Sequence, residues 1–189
     1  MLKTTTILKE ELKDYKNPDM KIHRMVEEGE IFRVCPGWYE TDRSVPPAQL
    51  AGVVHRPSYL SFEYALAYHG LIPEKVTAYT SATYGQKKRT SFVNVFGRYD
   101  YQSVPTEIYA IGLTMPDWTY GTLVADPEKA LCDQLYKMPP AESKRKFPAL
   151  LFESLRINEE DFRNLDLKRL KQYAALYRKK NLHYLEEML

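Results

Sequence analysis

The chain has 189 residues and a formal net charge of +2, which leaves no charge argument for a polyanionic partner of the chain as a whole. Cys35 and Cys132 are its only cysteines and have no paired spacing, so neither a disulfide framework nor a four-ligand zinc site is expected. No apolar run approaches the roughly 20 residues of a membrane span, and Met1 to Thr6 lacks the apolar core of a signal peptide; a soluble, cytoplasmic protein is expected.

Residues 1–44 read as helix, turn, helix and hairpin. Thr6 is placed to cap Ile7 to Tyr15, whose Leu8, Leu12 and Tyr15 share a face. Asn17-Pro18-Asp19 is a turn signal, and Pro18 also suits the first position of a second helix that runs to Glu28. Ile22, Met25 and Val26 point inward from it, and Gly29 ends it. Ile31 to Val34 and Trp38-Tyr39 are β-prone runs about Cys35-Pro36-Gly37. The order is that of a winged helix-turn-helix short of one helix, whose second helix enters a major groove. Lys16, Lys21, Arg24 and Arg33 are the cations available to phosphates, although acids slightly outnumber Lys and Arg over residues 1–44. A small packing module or partner-binding arm is the competing reading. Thr41 to Pro47 is polar and proline-bearing and reads as a linker, which sets a boundary near residue 44.

After a short helix over Ala48 to Val54, the stretch Pro57 to Pro73 reads as one punctuated helix. Ser61 caps it, Glu63 suits its positive end, and Phe62, Ala65, Leu66 and His69 form one face before Gly70 and Pro73 stop it. The period then shortens. Lys75 to Thr80, Ser91 to Phe96, Arg98 to Tyr101, Glu107 to Leu113 and Trp118 to Val124 alternate like strands of an antiparallel or mixed sheet. Asp126 caps a helix through Tyr136, with Pro127 in its first turn and Leu131 and Leu135 inward. Helical patterns continue over 148–155, 158–164, 166–177 and 181–189, and Leu167, Leu170, Ala174 and Tyr177 make an apolar stripe in the third of these.

Catalytic signatures are missing: there is no glycine-rich phosphate loop and no G-x-S-x-G elbow. His23, His55, His69 and His183 have no ligand spacing, so no metal or other cofactor is expected. His69 reads as a hydrogen-bonded core histidine, Cys132 as a buried small hydrophobe, and Glu128 and Asp133 do not share a helix face. Three basic clusters remain, Lys87-Lys88-Arg89, Lys144-Arg145-Lys146 and Arg178-Lys179-Lys180. Each is a solvated loop or helix end, or, if they converge, part of a surface for nucleic-acid phosphates or an acidic partner.

The order of the segments GEIFRVCPGWYET, PSYLSFEYALAYHGLIP and VADPEKALCDQLY, with a β-rich stretch between the last two, resembles the AbiEi family, the antitoxins of type IV abortive-infection toxin–antitoxin systems. The resemblance runs from about Lys21 to Tyr136, and the pairing of the last two blocks is its most specific part. It implies an N-terminal domain that binds operator DNA and represses its own operon. It also implies a C-terminal domain that counters a nucleotidyltransferase toxin encoded nearby. By position, Lys16, Lys21 and Arg24 would fall at the DNA-reading helix and Arg33 on the wing.

The expected fold is thus α+β. A reduced winged helix-turn-helix (1–44) precedes a mixed α/β antitoxin domain (45–189) with a largely antiparallel sheet and C-terminal helices. A non-enzymatic antitoxin that also regulates its operon is the leading functional expectation. A stand-alone winged-helix regulator with a ligand-sensing or partner-binding C-terminal domain is the alternative. A nucleic-acid enzyme ranks last, because no catalytic constellation is spaced for one.

Overall fold

The fold was obtained as a computed structural model, which describes residues 1–85 and 89–189; Lys87 and Lys88 of the first basic cluster lie outside the described residues. Residues 1–40 form strand β1 (Leu2–Thr4), helices α1 (Thr5–Glu11) and α2 (Pro18–Glu27), and a hairpin of β2 (Phe32–Cys35) and β3 (Trp38–Glu40). β3 is central and pairs antiparallel with both β1 and β2. The cap expected at Thr6 is instead Thr4, whose hydroxyl accepts from the Ile7 N–H at 3.2 Å. Residues 2–4 are recruited as a third strand, a pairing that so short a run does not announce. α1 therefore ends at Glu11, and Tyr15 is exposed rather than inward. Asn17 caps α2 through the Met20 N–H, with Pro18 in the first turn. Leu8, Ile22, Ile31 and Tyr39 make a small core, and Leu12, Met25 and Val26 pack against it.

Side chains as well as backbone join residues 1–43 to the larger part of the chain. The Asn94 amide donates to the Val34 carbonyl at 2.8 Å, Tyr120 donates to Glu40, and Arg43 donates to the Val95 carbonyl. Phe32 meets Phe96 edge to face.

A turn of 3-10 helix (Pro47–Leu50) and α3 (Ala51–Val54) lead into a six-stranded sheet. Its strands are β4 (Ser58–Leu60), β5 (Ala78–Thr83), β6 (Thr90–Asn94), β7 (Gly97–Ser103), β8 (Leu113–Thr114) and β9 (Leu123–Ala125), in the order β6-β7-β5-β4-β9-β8. The pairings β5–β7 and β4–β9 are parallel and the others antiparallel, so the sheet is mixed rather than largely antiparallel. Pro57 to Pro73 is a strand followed by a helix, not one helix. Tyr59 and Leu60, both 0% exposed, are held between β5 and β9, where strand geometry satisfies their backbone groups on both edges. Phe62, at a left-handed φ of 55°, turns the chain into α4 (Phe62–Tyr68).

Two expected strands shrink. Glu107 to Leu113 is mostly a 3-10 turn (Thr106–Ile108) that buries Ile108, and only Leu113–Thr114 pair. Trp118 to Val124 yields β9 only at its end, because the Trp118 and Thr122 N–H groups turn back onto the Pro116 and Tyr120 carbonyls instead of a neighbouring strand. The strand expected from Lys75 starts only at Ala78 and continues to Thr83.

The C-terminal third is helical as expected: α5 (Pro127–Lys137), α6 (Phe147–Ala149) running into a π-helical turn (Leu150–Ser154), α7 (Glu159–Arg163), α8 (Leu167–Leu176) and α9 (Lys180–Met188). Leu170, Ala174 and Tyr177 are buried, but Leu167, the first residue of α8, is 39% exposed and lies off the stripe. These helices, α3 to α5 and the sheet share one large core.

Candidate functional site

α5 is buried from Glu128 to Leu135, polar residues included. Asp126 starts it by accepting from the Lys129 N–H at 2.7 Å. One turn on, Lys129 Nζ lies 2.6 Å from Asp133 Oδ1, with the two side chains 1% and 0% exposed. Tyr177 OH, from beyond α8, accepts from Lys129 Nζ at 2.7 Å and donates to Asp133 Oδ1 at 2.5 Å. Asp133 Oδ2 accepts from Tyr59 OH at 2.9 Å and from Ser61 Oγ at 2.7 Å. The ammonium also sits 5.3 Å and 5.2 Å from the ring centroids of Tyr59 and Tyr177. Burial, reinforced by the Asp133 carboxylate, raises the Tyr59 and Tyr177 phenols well above their ordinary range, so both stay protonated donors. The Cys132 thiol is likewise pushed up by its complete burial.

Ser61 departs from the role its position suggests. It stands at the N-cap of α4, but its hydroxyl donates to Asp133 instead of accepting from the helix. The i,i+4 spacing of Lys129 and Asp133 is a signal that the sequence does carry, and sequence reasoning missed the pair; their common burial is not visible there.

At the far end of α5, Lys137 Nζ holds Glu63 of α4 at 2.7 Å and 2.8 Å, and Gln134 Nε2 adds a bond at 3.1 Å. Burial opposes the charge on Glu63, yet these donors outweigh it and keep the carboxyl below its usual range. At the near end, Asp126 Oδ2 accepts from Tyr173 OH at 3.1 Å, and Glu128 Oε1 accepts from the Asp166 N–H at 2.8 Å. Burial raises the Asp126 carboxyl. Gly112 passes over this end at φ +65°, where an added Cβ would lie 2.9 Å from Tyr173 and 3.0 Å from both Asp126 Oδ2 and Lys129 Cβ. The network is buried along α5. What it does is fasten β4, α5 and α8 together.

The cations expected to meet DNA are differently placed. Lys16 is exposed in the turn before α2, Arg24 on α2 itself and Arg33 on β2. Arg33 shares a cavity of about 140 Å³ with Asp19, His23 and Tyr39, so the hairpin and α2 line one recess. Lys21 is drawn toward Glu30 at 3.7 Å and its side chain is only 25% exposed. The outer face of α2 is mixed in charge, with Lys9 paired to Asp19 at 2.8 Å and His23 to Glu27 at 3.3 Å. Arg89 lines another cavity with Arg98 and Lys137, which Lys144, Arg145 and Lys146 do not line. Lys144 pairs with Glu187 at 3.0 Å and Lys146 with Glu142, while Arg145 is exposed. His69, half-buried at the end of α4, bonds the Ala125 carbonyl through Nε2 at 2.8 Å.

The chain is therefore an α+β protein with a mixed sheet, and among the described residues no helix is long and apolar enough to cross a membrane. Among solved structures it is similar to the RV2827C protein of Mycobacterium tuberculosis, with a TM-score of 0.64 and 14% identity over 99% of this chain and 71% of that one. A likeness at that identity is one of fold. No family model and no curated protein matches the chain.

Proposed function

We propose that this chain is the antitoxin of a type IV toxin–antitoxin pair. On this reading it acts in the cytoplasm against a nucleotidyltransferase toxin encoded beside it, and represses its own operon through an N-terminal reduced winged helix. One observation carries the reading: the two sequence blocks that resemble the AbiEi family are one physical unit. Tyr59 and Ser61 of the first block bond Asp133 of the second, more than seventy residues away, with every donor directed at one carboxylate. Two blocks that must meet to bury a charge are expected to travel together in a family, so their joint presence is a stronger mark than either alone. The strand-helix-helix-hairpin order of residues 2–40 supports the DNA-binding part, as do Lys16, Arg24 and Arg33, which make no ion pair among the described residues.

Co-expression with the neighbouring nucleotidyltransferase tests the proposal. Growth is restored by the full chain if it is right; a toxin left fully active in the presence of folded protein overturns it.

A further inference from the structure

A cleft of about 640 Å³ opens between α3 and the segment that leads into β9. That volume lies in the range of small-molecule sites, which are mostly apolar with a few placed polar groups. Val53, Pro57 and Leu123 supply apolar wall, Tyr109 and Tyr120 supply rings, and Arg56 is the one charged lining residue among the described residues. The back wall closes where Gly52 meets Thr122: its N–H donates to Thr122 Oγ1 at 3.2 Å, and a Cβ there would sit 3.0 Å from the same oxygen.

Arg56 is held in a fixed pose without an acid. Its Nε donates to the Gly52 carbonyl at 2.7 Å, and its guanidinium lies 5.2 Å from the Trp38 ring centroid. It makes no ion pair among the described residues and its bond to Gly52 uses Nε, so the two outer nitrogens keep their planar fork for a bidentate acceptor. A second cleft of equal volume makes the contrast. There, Arg156 is already bonded to Glu74 at 2.9 Å, and Glu153 and Asp161 line the space, so an incoming anion meets a neutralised cation and two acids.

We infer that the Arg56 cleft binds a small carboxylate carried on an aromatic or apolar body. The guanidinium fork takes the carboxylate, and the tyrosine rings and aliphatic wall take the body. The occupant touches two side-chain links to β3, since Arg56 stacks on Trp38 and Tyr120 donates to Glu40. Filling the cleft therefore alters the footing of the N-terminal segment. The inference does not rest on the antitoxin reading.

Isothermal titration of the full chain with phenylacetate tests it, with phenylacetamide as the uncharged counterpart and acetate as the charge without the ring. Saturable phenylacetate binding, weaker by at least about tenfold for each control, is expected from loss of the charge-assisted fork or of the apolar body. Arg56→Gln and Arg56→Lys should both weaken phenylacetate binding about tenfold or more while melting like the parent, because Lys keeps the charge and loses the fork. A shift in Trp38 emission, absent in Trp38→Phe, should accompany saturation. A flat titration, equal binding of the amide, or an unchanged affinity in both folded Arg56 variants overturns the inference.

Discussion

Lys129 Nζ and Asp133 Oδ1 lie 2.6 Å apart on one helix, with neither side chain more than 1% exposed. Such a pair must recover the cost of leaving water through its remaining hydrogen bonds, and here the tyrosine and serine hydroxyls provide them. The partners are not equivalent. Asp133→Leu strands an ammonium whose one remaining hydrogen bond among the described residues goes to Tyr177, beside the Tyr59 and Tyr177 rings, whereas Lys129→Met leaves a carboxylate that still accepts from three hydroxyls. Asp133→Leu should cost about 3–5 kcal/mol and Lys129→Met less. The double variant should be more stable than the sum of the two predicts. Urea unfolding of all four proteins checks this, and strict additivity would refute it.

Gly112→Ala should destabilise by about 1–3 kcal/mol. The position combines a left-handed φ with three atoms already at or inside 3.0 Å of the new carbon, two of them on the α5 network. Gly70, also left-handed at φ +74° but with nothing within 4 Å, isolates the backbone part of that cost. Thermal melts of both variants check this, and Gly70→Ala should lose the smaller amount.

Glu63 sets a pH dependence. Its carboxyl is held below its ordinary range in the folded protein, so it binds a proton less readily there than in the unfolded chain. The stabilisation is complete above the unfolded carboxyl range and drains away as pH falls through the folded value, beginning near about pH 5. Stability profiles should show Glu63→Gln losing less than the parent on acidification, and a parallel loss in both proteins would contradict the assignment.

Binding to its own upstream DNA, if the N-terminal segment is a repressor, should weaken steeply with salt. Arg24→Ala should lower the log–log salt slope by about one, the loss of a single phosphate contact. Lys21→Ala should change it less, because Glu30 already occupies that cation. Anisotropy titrations across a salt series distinguish the two, and a slope insensitive to Arg24 would count against α2 as the DNA-facing helix.

What could be read from the sequence was what short-range chemistry decides. Asn17-Pro18 and Asp126-Pro127 start helices by contacts within three residues, and both begin where expected. What escaped was set by distant partners. Residues 2–4 become a strand only because β3 lies beside them, and residues 58–60 only because β5 and β9 flank them. Ser61 looks like a cap in a local window, yet its hydroxyl is claimed by an aspartate on another helix. The burial that makes Lys129 and Asp133 a single feature is likewise a product of packing, and no spacing rule contains it.

The parallel pairing of β4 with β9 has a consequence for how the chain is made. While a ribosome is still delivering residues 62–122, Tyr59 and Ser61 have been synthesised but their acceptor has not, and one edge of β4 stands open. Closure waits for α5, which comes after β9 by a single residue and brings the carboxylate with it. Long-range closure of this kind is slow and leaves an adhesive edge exposed in the meantime. The nascent chain therefore carries an open β4 edge until β9 and Asp133 have emerged, and the buried pair itself is complete only when Tyr177 follows.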